Sequence, residues 1–196
     1  MQSTDQKAGL MIKSHIFIDA GHIHHHLFDE QWRIDYRKLV DYFSQKGYFP
    51  LMVFYYEGMI TEQSYLSRHP EGSFADFNQA KKRKKAYFEK LRSMNFVVRS
   101  KPVHRLFDFQ SQKYRFKCNF DVELTMDVME TVLTRETDTF IICSGDGDFA
   151  RLIRFLKGKV KKVIIVGFKA NMNVGVIETA HEIVFLEAIK HRIELK

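Results

Sequence analysis

Four aspartates lie where predicted strands end or helices begin, and their spacing suggests chemistry. Asp146 and Asp148 stand two residues apart in SGDGDF, directly after an apolar run, and Asp19 ends another apolar run, HIFIDA. Asp121 opens a segment with helical periodicity, DVELTMDV. Close carboxylates repel one another unless a positive charge lies between them. The pattern therefore favours a site for one or two divalent cations, Mg²⁺ or Mn²⁺, which prefer oxygen ligands.

Each of these acids also has an ordinary structural interpretation. An aspartate at the start of a helix often only caps it, which applies to Asp121 and Asp148, and Asp19 could be a turn residue. The joint pattern is harder to explain in this way, because each acid falls at an equivalent end of a strand or helix. In parallel α/β sheets, ligand sites form at the carboxyl ends of the strands. On the residues alone, both interpretations stay open.

The elements that must position these acids alternate between strand and helix. Continuous apolar runs predict strands at 15–20, 51–56, 96–100, 139–143, 162–167 and 183–186. Apolar residues at helical spacing predict helices at 34–47, 74–95, 121–134, 148–157 and 174–180. In helix 121–134 the predicted apolar side consists of Val122, Met126, Met129 and Leu133. Residues 102–117 predict a β-hairpin, and 59–73 a loop. Strands that are apolar throughout are typical of a parallel sheet with helices on both faces, so we expect an α/β fold.

The composition describes a globular chain with a basic charge. The chain has 196 residues, of which 45% are apolar, and we expect one domain at 14–196 after a mobile tail at 1–13. The formal net charge of +7 favours a polyanionic partner, either nucleic acid or an anionic membrane.

Cysteine usage and the absence of long apolar runs point to the cytoplasm. Cys118 and Cys143 form no CxxC pair, the first residues lack the apolar run of a signal peptide, and no stretch approaches the ~20 apolar residues of a membrane span. We therefore expect a cytoplasmic protein with no membrane association. The apolar strand near 183–186 and the many aromatic residues would allow a homodimer without requiring one.

Three segments carry a resemblance to a known family: FIDAGHI at 17–23, KCNFDVELTMD at 117–127 and ICSGDGDFARLIRFLKGKVKKVIIVGF at 142–168. Together they resemble the NYN domain, the LabA-like branch of the PIN-like nuclease superfamily, and they extend over nearly the whole chain. The resemblance implies a three-layer α/β/α fold with a central, mainly parallel sheet. It also implies a metal-dependent ribonuclease, an endonuclease that hydrolyses RNA phosphodiesters with Mg²⁺ or Mn²⁺.

The resemblance assigns roles to individual residues. It implies that Asp19, Asp121, Asp146 and Asp148 bind the metal and carry catalysis. Ser144 matches the serine of SGD, which would hold a carboxylate or a metal-bound water.

Two further positions take supporting roles. Asp127 matches an acidic position of the family's helix, but it lies six residues after Asp121 and so points some 120° away from it, which favours a supporting or surface role. His22 stands where the family usually has asparagine, and its imidazole could hydrogen-bond a phosphate or a carboxylate as an amide would. His22 begins the run HIHHH, which also invites a zinc interpretation. No cysteine or suitably spaced histidine completes a tetrahedral zinc site, so solvated or RNA-facing histidines fit the sequence better.

Basic side chains suggest how RNA, single-stranded or structured, would be held. The run KKRKK lies within the predicted helix 74–95. The candidate RNA-binding residues are those on the exposed side of this run, Lys81, Lys82, Arg83 and Lys85, together with Lys117 and Arg151. The ordinary alternative for such a run is a solvated helix face.

Two other functions compete with the ribonuclease. The first is a non-catalytic RNA-binding or regulatory module on the same fold, which the histidine at position 22 motivates. The second is a small-molecule phosphatase with an aspartate nucleophile. That activity usually requires a DxD motif at the first strand, whereas Asp19 is followed by Ala-Gly.

Overall fold

The computed structural model describes residues 11–30 and 32–196, and for residues 28–30 it describes the backbone alone. Eight strands and eight α-helices follow one another within these residues, mostly in alternation. The strands are β1 (Ile12–Asp19), β2 (Tyr48–Tyr56), β3 (Phe96–Arg99), β4 (His104–Asp108), β5 (Lys113–Lys117), β6 (Thr139–Cys143), β7 (Lys162–Gly167) and β8 (Glu182–Phe185). The α-helices are α1 (Ala20–Glu30), α2 (Tyr36–Gln45), α3 (Glu62–Leu66), α4 (Phe74–Ser93), α5 (Asp121–Thr134), α6 (Ala150–Gly158), α7 (Val174–Thr179) and α8 (Leu186–Ile193). Single 3-10 turns lie at Gly147–Phe149 and Lys169–Asn171.

Six strands form one parallel sheet in the order β3-β2-β1-β6-β7-β8, which confirms the predicted α/β fold. The chain builds outward from β1 through β2 to β3, then returns to place β6 on the other side of β1. The strand order therefore reverses between β1 and β6. A crevice opens at the carboxyl ends of the strands at such a point, because the connections leave in opposite directions.

Helices cover both faces of this sheet, so the fold has three layers. Alternate residues of each strand point to opposite faces: Ile16 and Ile18 of β1 lie in one buried cluster and Phe17 in the other. The first cluster includes side chains of α1, α2, α4 and α8, and the second includes side chains of α5, α6 and α7. The central strands are buried on both sides over most of their length, so continuous apolar runs such as 16–18 and 140–143 mark them in the sequence.

The predicted elements agree with the structure except at a few places. Helix α2 ends before Gly47, whose φ of 88° is the left-handed conformation expected of a glycine after a helix. The predicted hairpin forms between β4 and β5. The predicted loop 59–73 contains α3, where Thr61 and Ser64 form a capping box. Helices α1 and α8 were not predicted. The predicted tail 1–13 lies outside the described residues up to position 10, and Ile12 and Lys13 belong to β1.

Helix α5 packs through a different face from the one that its apolar residues indicate. The sequence places Val122, Met126, Met129 and Leu133 on one side, but Val122 is 69% exposed, Met126 65% and Leu133 75%. The buried positions are Leu124, Asp127, Val128 and Thr131. The periodicity of apolar residues therefore predicted the wrong buried face. It gives no sign that Asp127 is buried, because the partners of this carboxylate come from β2 and β3.

A second buried carboxylate follows β2. Glu57 Oε2 accepts a hydrogen bond of 2.8 Å from the Tyr55 hydroxyl, and Glu57 Oε1 lies 3.0 Å from His24 Nδ1 and also accepts from Lys84. Burial raises the pKa of the Glu57 carboxyl, but the hydrogen bonds and charges of His24 and Lys84 outweigh it and lower this pKa to about 2. The native state therefore holds Glu57 ionised.

This network predicts a specific loss of stability in acid. Because the folded pKa of Glu57 is lower than its ordinary value of 4.5, its stabilisation is present above that pH and is lost as the pH falls towards about 2. We expect the wild type to lose on the order of 3 kcal/mol more than Glu57→Gln over this interval. Urea unfolding with chelator at a series of pH values measures the difference. Glu89→Gln, at an exposed position of α4, should follow the wild type, and equal acid sensitivity of all three proteins would contradict the prediction.

Candidate metal centre

The predicted acids come from the carboxyl edge of the sheet, where the strand order reverses. Asp19 is the last residue of β1, and Asp146 and Asp148 lie in the turn that follows β6. Asp121 is the first residue of α5. Asp146 also has a local structural role, because its side chain accepts a hydrogen bond of 3.0 Å from the backbone N–H of Asp148 and caps the short 3-10 turn.

Three of the four acids converge. Asp121, Asp146 and Asp148 each offer a carboxylate oxygen, and these oxygens all lie within 4.8 Å of one another. Asp121 and Asp146 are half-buried, whereas Asp148 is exposed. We call these three residues the acidic triad. Carboxylate oxygens at this spacing can bind one cation together.

Asp19 lies beside the acidic triad and is buried. Its Oδ1 accepts a hydrogen bond of 3.1 Å from the backbone N–H of His22, and its Oδ2 accepts one of 3.3 Å from the Ser144 hydroxyl. The Ser144 oxygen in turn accepts a hydrogen bond of 3.3 Å from the N–H of Asp146. Ser144 therefore links Asp19 to the turn that carries two members of the triad.

Burial and neighbouring carboxylates raise the pKa values of two acids in this site, and nearby hydrogen-bond donors and cations counteract them in part. Burial raises the pKa of Asp121, and the neighbouring Asp146 and Asp148 raise it further, while Asn119 and Lys117 act in the opposite direction. Burial also raises the pKa of Asp19, with Asp121 adding to the effect and the hydrogen bonds from His22 and Ser144 opposing it. Burial is the larger cause of both raised pKa values and neighbouring negative charge the smaller one, and a bound cation would favour the ionised carboxylates against both.

Two glycines let another segment approach the turn. A Cβ at Gly145 would lie 2.8 Å from the backbone oxygen of Asn171, and one at Gly147 would lie 2.6 Å from the side chain of Asn173. The N–H of Asn173 donates to the Gly145 carbonyl at 2.9 Å. The glycines of SGDGD therefore allow the chain after β7 to pack on this turn and fix its shape.

Two asparagine side chains that were not predicted support the acidic triad. Asn119 accepts a hydrogen bond of 2.7 Å from the N–H of Asp121, and its amide donates to the Asp121 carboxylate. Its position two residues before an acidic helix start is a capping signal that a search for charged residues overlooks. Asn173 could not have been found in this way, because it reaches the turn only through tertiary packing.

Of the residues expected in supporting roles, Ser144 contacts Asp19, whereas His22 and Asp127 lie in different places. The Nε2 of His22 is buried and has no hydrogen-bond partner among the described residues. Asp127 lies outside the triad, roughly 9 Å further along α5 from Asp121. Its buried carboxylate accepts hydrogen bonds from the Tyr56 hydroxyl at 2.8 Å and from Arg99 Nη2 at 2.8 Å. Asp127 therefore joins α5 to β2 and β3, as its direction on the helix suggested.

The family model of the NYN domain matches residues 13–187. The chain belongs to the NYN domain family. NYN domains are part of a nuclease superfamily whose members generally use divalent metals. The resemblance seen in the sequence is thereby confirmed.

The chain is also similar to two other known proteins. The Low amplitude and bright protein LabA of Synechococcus elongatus is 25% identical over 153 residues, which are 77% of this chain and 71% of LabA. A solved structure of a Vibrio parahaemolyticus protein of unknown function has a TM-score of 0.65 with this chain at 22% identity, and the match covers 100% of each chain. The second likeness concerns the fold alone.

The donor atoms of this NYN domain fit a hard cation. The acidic triad offers oxygen ligands, which Mg²⁺ and Mn²⁺ prefer over the nitrogen and sulfur ligands of a structural zinc site. Within the described residues, no histidine belongs to a group of three or more potential metal ligands. His24 instead contacts Glu57 and Tyr36, and the ring of His26 lies 4.6 Å from that of Phe168.

The predicted RNA-binding side chains are distributed around the NYN domain. Lys82, Arg83 and Lys85 are exposed on α4, and Lys81 is half-buried with its ammonium 5.4 Å from the Phe77 ring. Lys84, in the middle of the same run, turns inward to Glu57.

Other basic residues are closer to the metal centre or already paired. Lys117 is exposed at the end of β5, near enough for its charge to lower the pKa of Asp121, and Arg151 is exposed on α6 directly after the acidic turn. Arg99 and Lys101, in contrast, form ion pairs with Asp127 and Glu123. None of the described helices combines the length and the apolar character needed to cross a membrane.

Proposed function

We propose that this NYN-domain protein is a Mg²⁺- or Mn²⁺-dependent endoribonuclease that hydrolyses RNA phosphodiesters at the acidic triad, with Asp19 beside it. The observation that carries the proposal is the convergence of three carboxylates, from the start of α5 and the turn after β6, within 4.8 Å at the point where the strand order reverses. Ionised carboxylates at this distance repel one another, which costs free energy in the folded state. A functional cation explains why the cost is tolerated.

The proposed role of each residue follows from how deeply its side chain is buried. A divalent ion bound here would supply Lewis acidity towards the phosphate and lower the pKa of a water ligand. Asp121 and Asp146, half-buried, would hold the ion, and exposed Asp148 would contact both ion and solvent. Asp19, fixed by the His22 N–H and by Ser144, would orient a water or a metal ligand from the buried side. Lys117 and Arg151 would attract the phosphates that flank the cleaved bond.

The cleavage assay that tests this proposal uses the full chain and labelled RNA, single-stranded and hairpin, with Mn²⁺, with Mg²⁺ and with EDTA. We expect cleavage with either metal and none with EDTA. A circular RNA is included because only an endonuclease opens it. Cleavage that is equal with and without EDTA would argue against the metal-dependent mechanism, and cleavage of linear RNA alone would identify an exonuclease.

The basic residues of α4 give a separate prediction about RNA binding. Replacing Lys82, Arg83 and Lys85 together by glutamine should weaken RNA binding and reduce the salt slope of log K by about 2, since each phosphate contact to a single strand contributes ~0.7. Fluorescence anisotropy at several salt concentrations measures the slope. The matched control replaces Lys157, in the last turn of α6, and Lys159 and Lys161, in the segment that leads to the amino end of β7. An equal decrease in both triple variants would show that α4 has no special part in binding.

A non-catalytic RNA-binding module remains the second candidate, because His22 occupies a position next to Asp19 where the family usually has asparagine. The Nε2 atom of His22 is buried and has no hydrogen-bond partner among the described residues, which is unusual for a polar atom. RNA binding that is unaffected by metal, combined with no cleavage of any substrate, is the result that would favour this second function.

A further inference from the structure

A cavity separate from the acidic triad lies between α1, α2 and α4. It has a volume of about 580 Å³, within the range of small-molecule sites. Glu57, directly after β2, forms part of its wall, so the cavity lies at the same edge of the sheet as the metal centre. His24 keeps 37% of its side-chain surface exposed, and the cavity is therefore reached from solvent.

The walls of this cavity are largely aromatic. The rings of Trp32, Tyr36 and Tyr87 line it, and Trp32 and Tyr36 are buried. Aromatic walls bind flat rings by stacking at little entropic cost, since the wall side chains are already fixed.

Polar groups enter the cavity in a fixed arrangement. Glu57 is held by Tyr55, His24 and Lys84, and the Nε2 of His24 lies 2.9 Å from the Tyr36 hydroxyl. Arg33 also lines the cavity and is exposed. Among the described lining residues, Glu57 is the one acid, against two permanent cations and a histidine. The cavity therefore suits a ligand that carries both an aromatic ring and negative charge.

Different residues form this cavity and the metal centre. His22 and His24 are two residues apart, which places their side chains about 200° apart around the helix. The backbone of His22 contacts Asp19, whereas the imidazole of His24 contacts Glu57. Among the described lining residues of the cavity there is neither Asp19 nor a member of the acidic triad, so the two sites can bind different groups.

We propose that this cavity binds a nucleotide, with its base between Trp32, Tyr36 and Tyr87 and its phosphate at Lys84 and Arg33. The Glu57 carboxylate would accept a hydrogen bond from an amino group of the base. The nucleotide can be a free mononucleotide or an unpaired nucleotide of RNA, since both present the same chemistry. This binding requires neither metal nor cleavage and goes beyond the proposed ribonuclease activity.

The chain provides its own reporter, because Trp32 is its single tryptophan. Titration with adenosine and guanosine monophosphates in EDTA should quench the Trp32 fluorescence through stacking. Adenosine and ribose 5-phosphate, which each lack one half of the ligand, should bind at least roughly tenfold more weakly. An RNA tetranucleotide in a parallel titration distinguishes the two sources: tighter binding of the tetranucleotide indicates RNA, and tighter binding of a mononucleotide indicates a free ligand. No quenching by any nucleotide would overturn the proposal.

Matched variants locate the binding. Lys84→Met should weaken nucleotide binding about tenfold, whereas Lys85→Met, which removes the same charge from the exposed neighbour, should leave it unchanged. Arg33→Gln provides a second test that leaves the Glu57 network in place if Lys84→Met destabilises the chain. Asp146→Asn should bind nucleotide as the wild type does, whether or not the protein cleaves RNA. Equal weakening in Lys84→Met and Lys85→Met, or unchanged binding in both Lys84→Met and Arg33→Gln, would overturn the assignment.

Discussion

Asp146→Asn is expected to lower metal-dependent RNA cleavage by about 10²- to 10³-fold without unfolding the protein. This magnitude is typical of losing one charged or hydrogen-bonding group that stabilises a transition state. The asparagine retains an oxygen that can cap the turn before Asp148, so the local structure should persist. Only the charge that helps to bind the cation is removed.

Although Asp146→Asn should lower the cleavage rate, it should not lower the folding stability of the metal-free protein. Asp146 raises the pKa of Asp121, so its negative charge disfavours the ionised cluster in the absence of metal. Removing that charge should lower the pKa of Asp121 and make the metal-free variant as stable as the wild type or slightly more so at neutral pH. Added Mn²⁺ should raise the melting temperature of the wild type and raise that of Asp146→Asn much less.

Asp138→Asn is the matched control for this experiment. Asp138 lies at the other end of the same strand, directly before β6, and is exposed, so the substitution removes an equal charge far from the triad. Both its cleavage rate and its response to Mn²⁺ should equal those of the wild type. If Asp146→Asn cleaves as fast as this control, the triad is not the catalytic centre.

Asp127→Ala is expected to reduce the free energy of unfolding by about 2–3 kcal/mol. The substitution leaves the Tyr56 hydroxyl, which is fully buried, without its acceptor and removes the carboxylate that two Arg99 nitrogens contact. The loss should lie near the lower end for a buried ion pair, because 47% of the Arg99 side chain remains exposed to water. Chemical denaturation at neutral pH measures the difference.

The structural role of Asp127 can be separated from a role in metal binding. Glu130→Ala, at an exposed position of the same helix, should change the free energy of unfolding by less than about 0.5 kcal/mol. Under conditions where it is folded, Asp127→Ala should bind Mn²⁺ with the affinity of the wild type. A large decrease in Mn²⁺ affinity would show that Asp127 acts on the metal centre after all.

Much of the fold could be predicted because its signals are local. Each central strand is buried on both faces, so runs such as the one from Phe140 to Cys143 are apolar at every position and mark a parallel sheet. The candidate site followed from the same rule, since acids that end such strands meet at one edge. The unpredicted α1 and α8 show the limit: the histidines of α1 conceal its periodicity, and α8 follows β8 with no turn signal between them.

The details of the site depended on partners that are distant in the sequence. Four acids were expected together, but Asp19 is turned to Ser144 and to the N–H of His22, and the close group is Asp121, Asp146 and Asp148. The periodicity of apolar residues placed Met126 on the buried face of α5, but Met126 is exposed and its neighbour Asp127 is buried. A charged side chain can be buried only where other groups satisfy it, and those groups come from β2 and β3.

The sequence by itself determined the parallel sheet, the position of the acids at the ends of its elements and the family to which the chain belongs. The tertiary structure alone decided which three carboxylates converge, why Lys84 turns inward from a basic run, and that Trp32 and Glu57 share a cavity. The reason is physical. Periodicity and capping act between residues close in the chain, whereas the burial of a charge and the shape of a cavity depend on side chains that only the completed fold brings together.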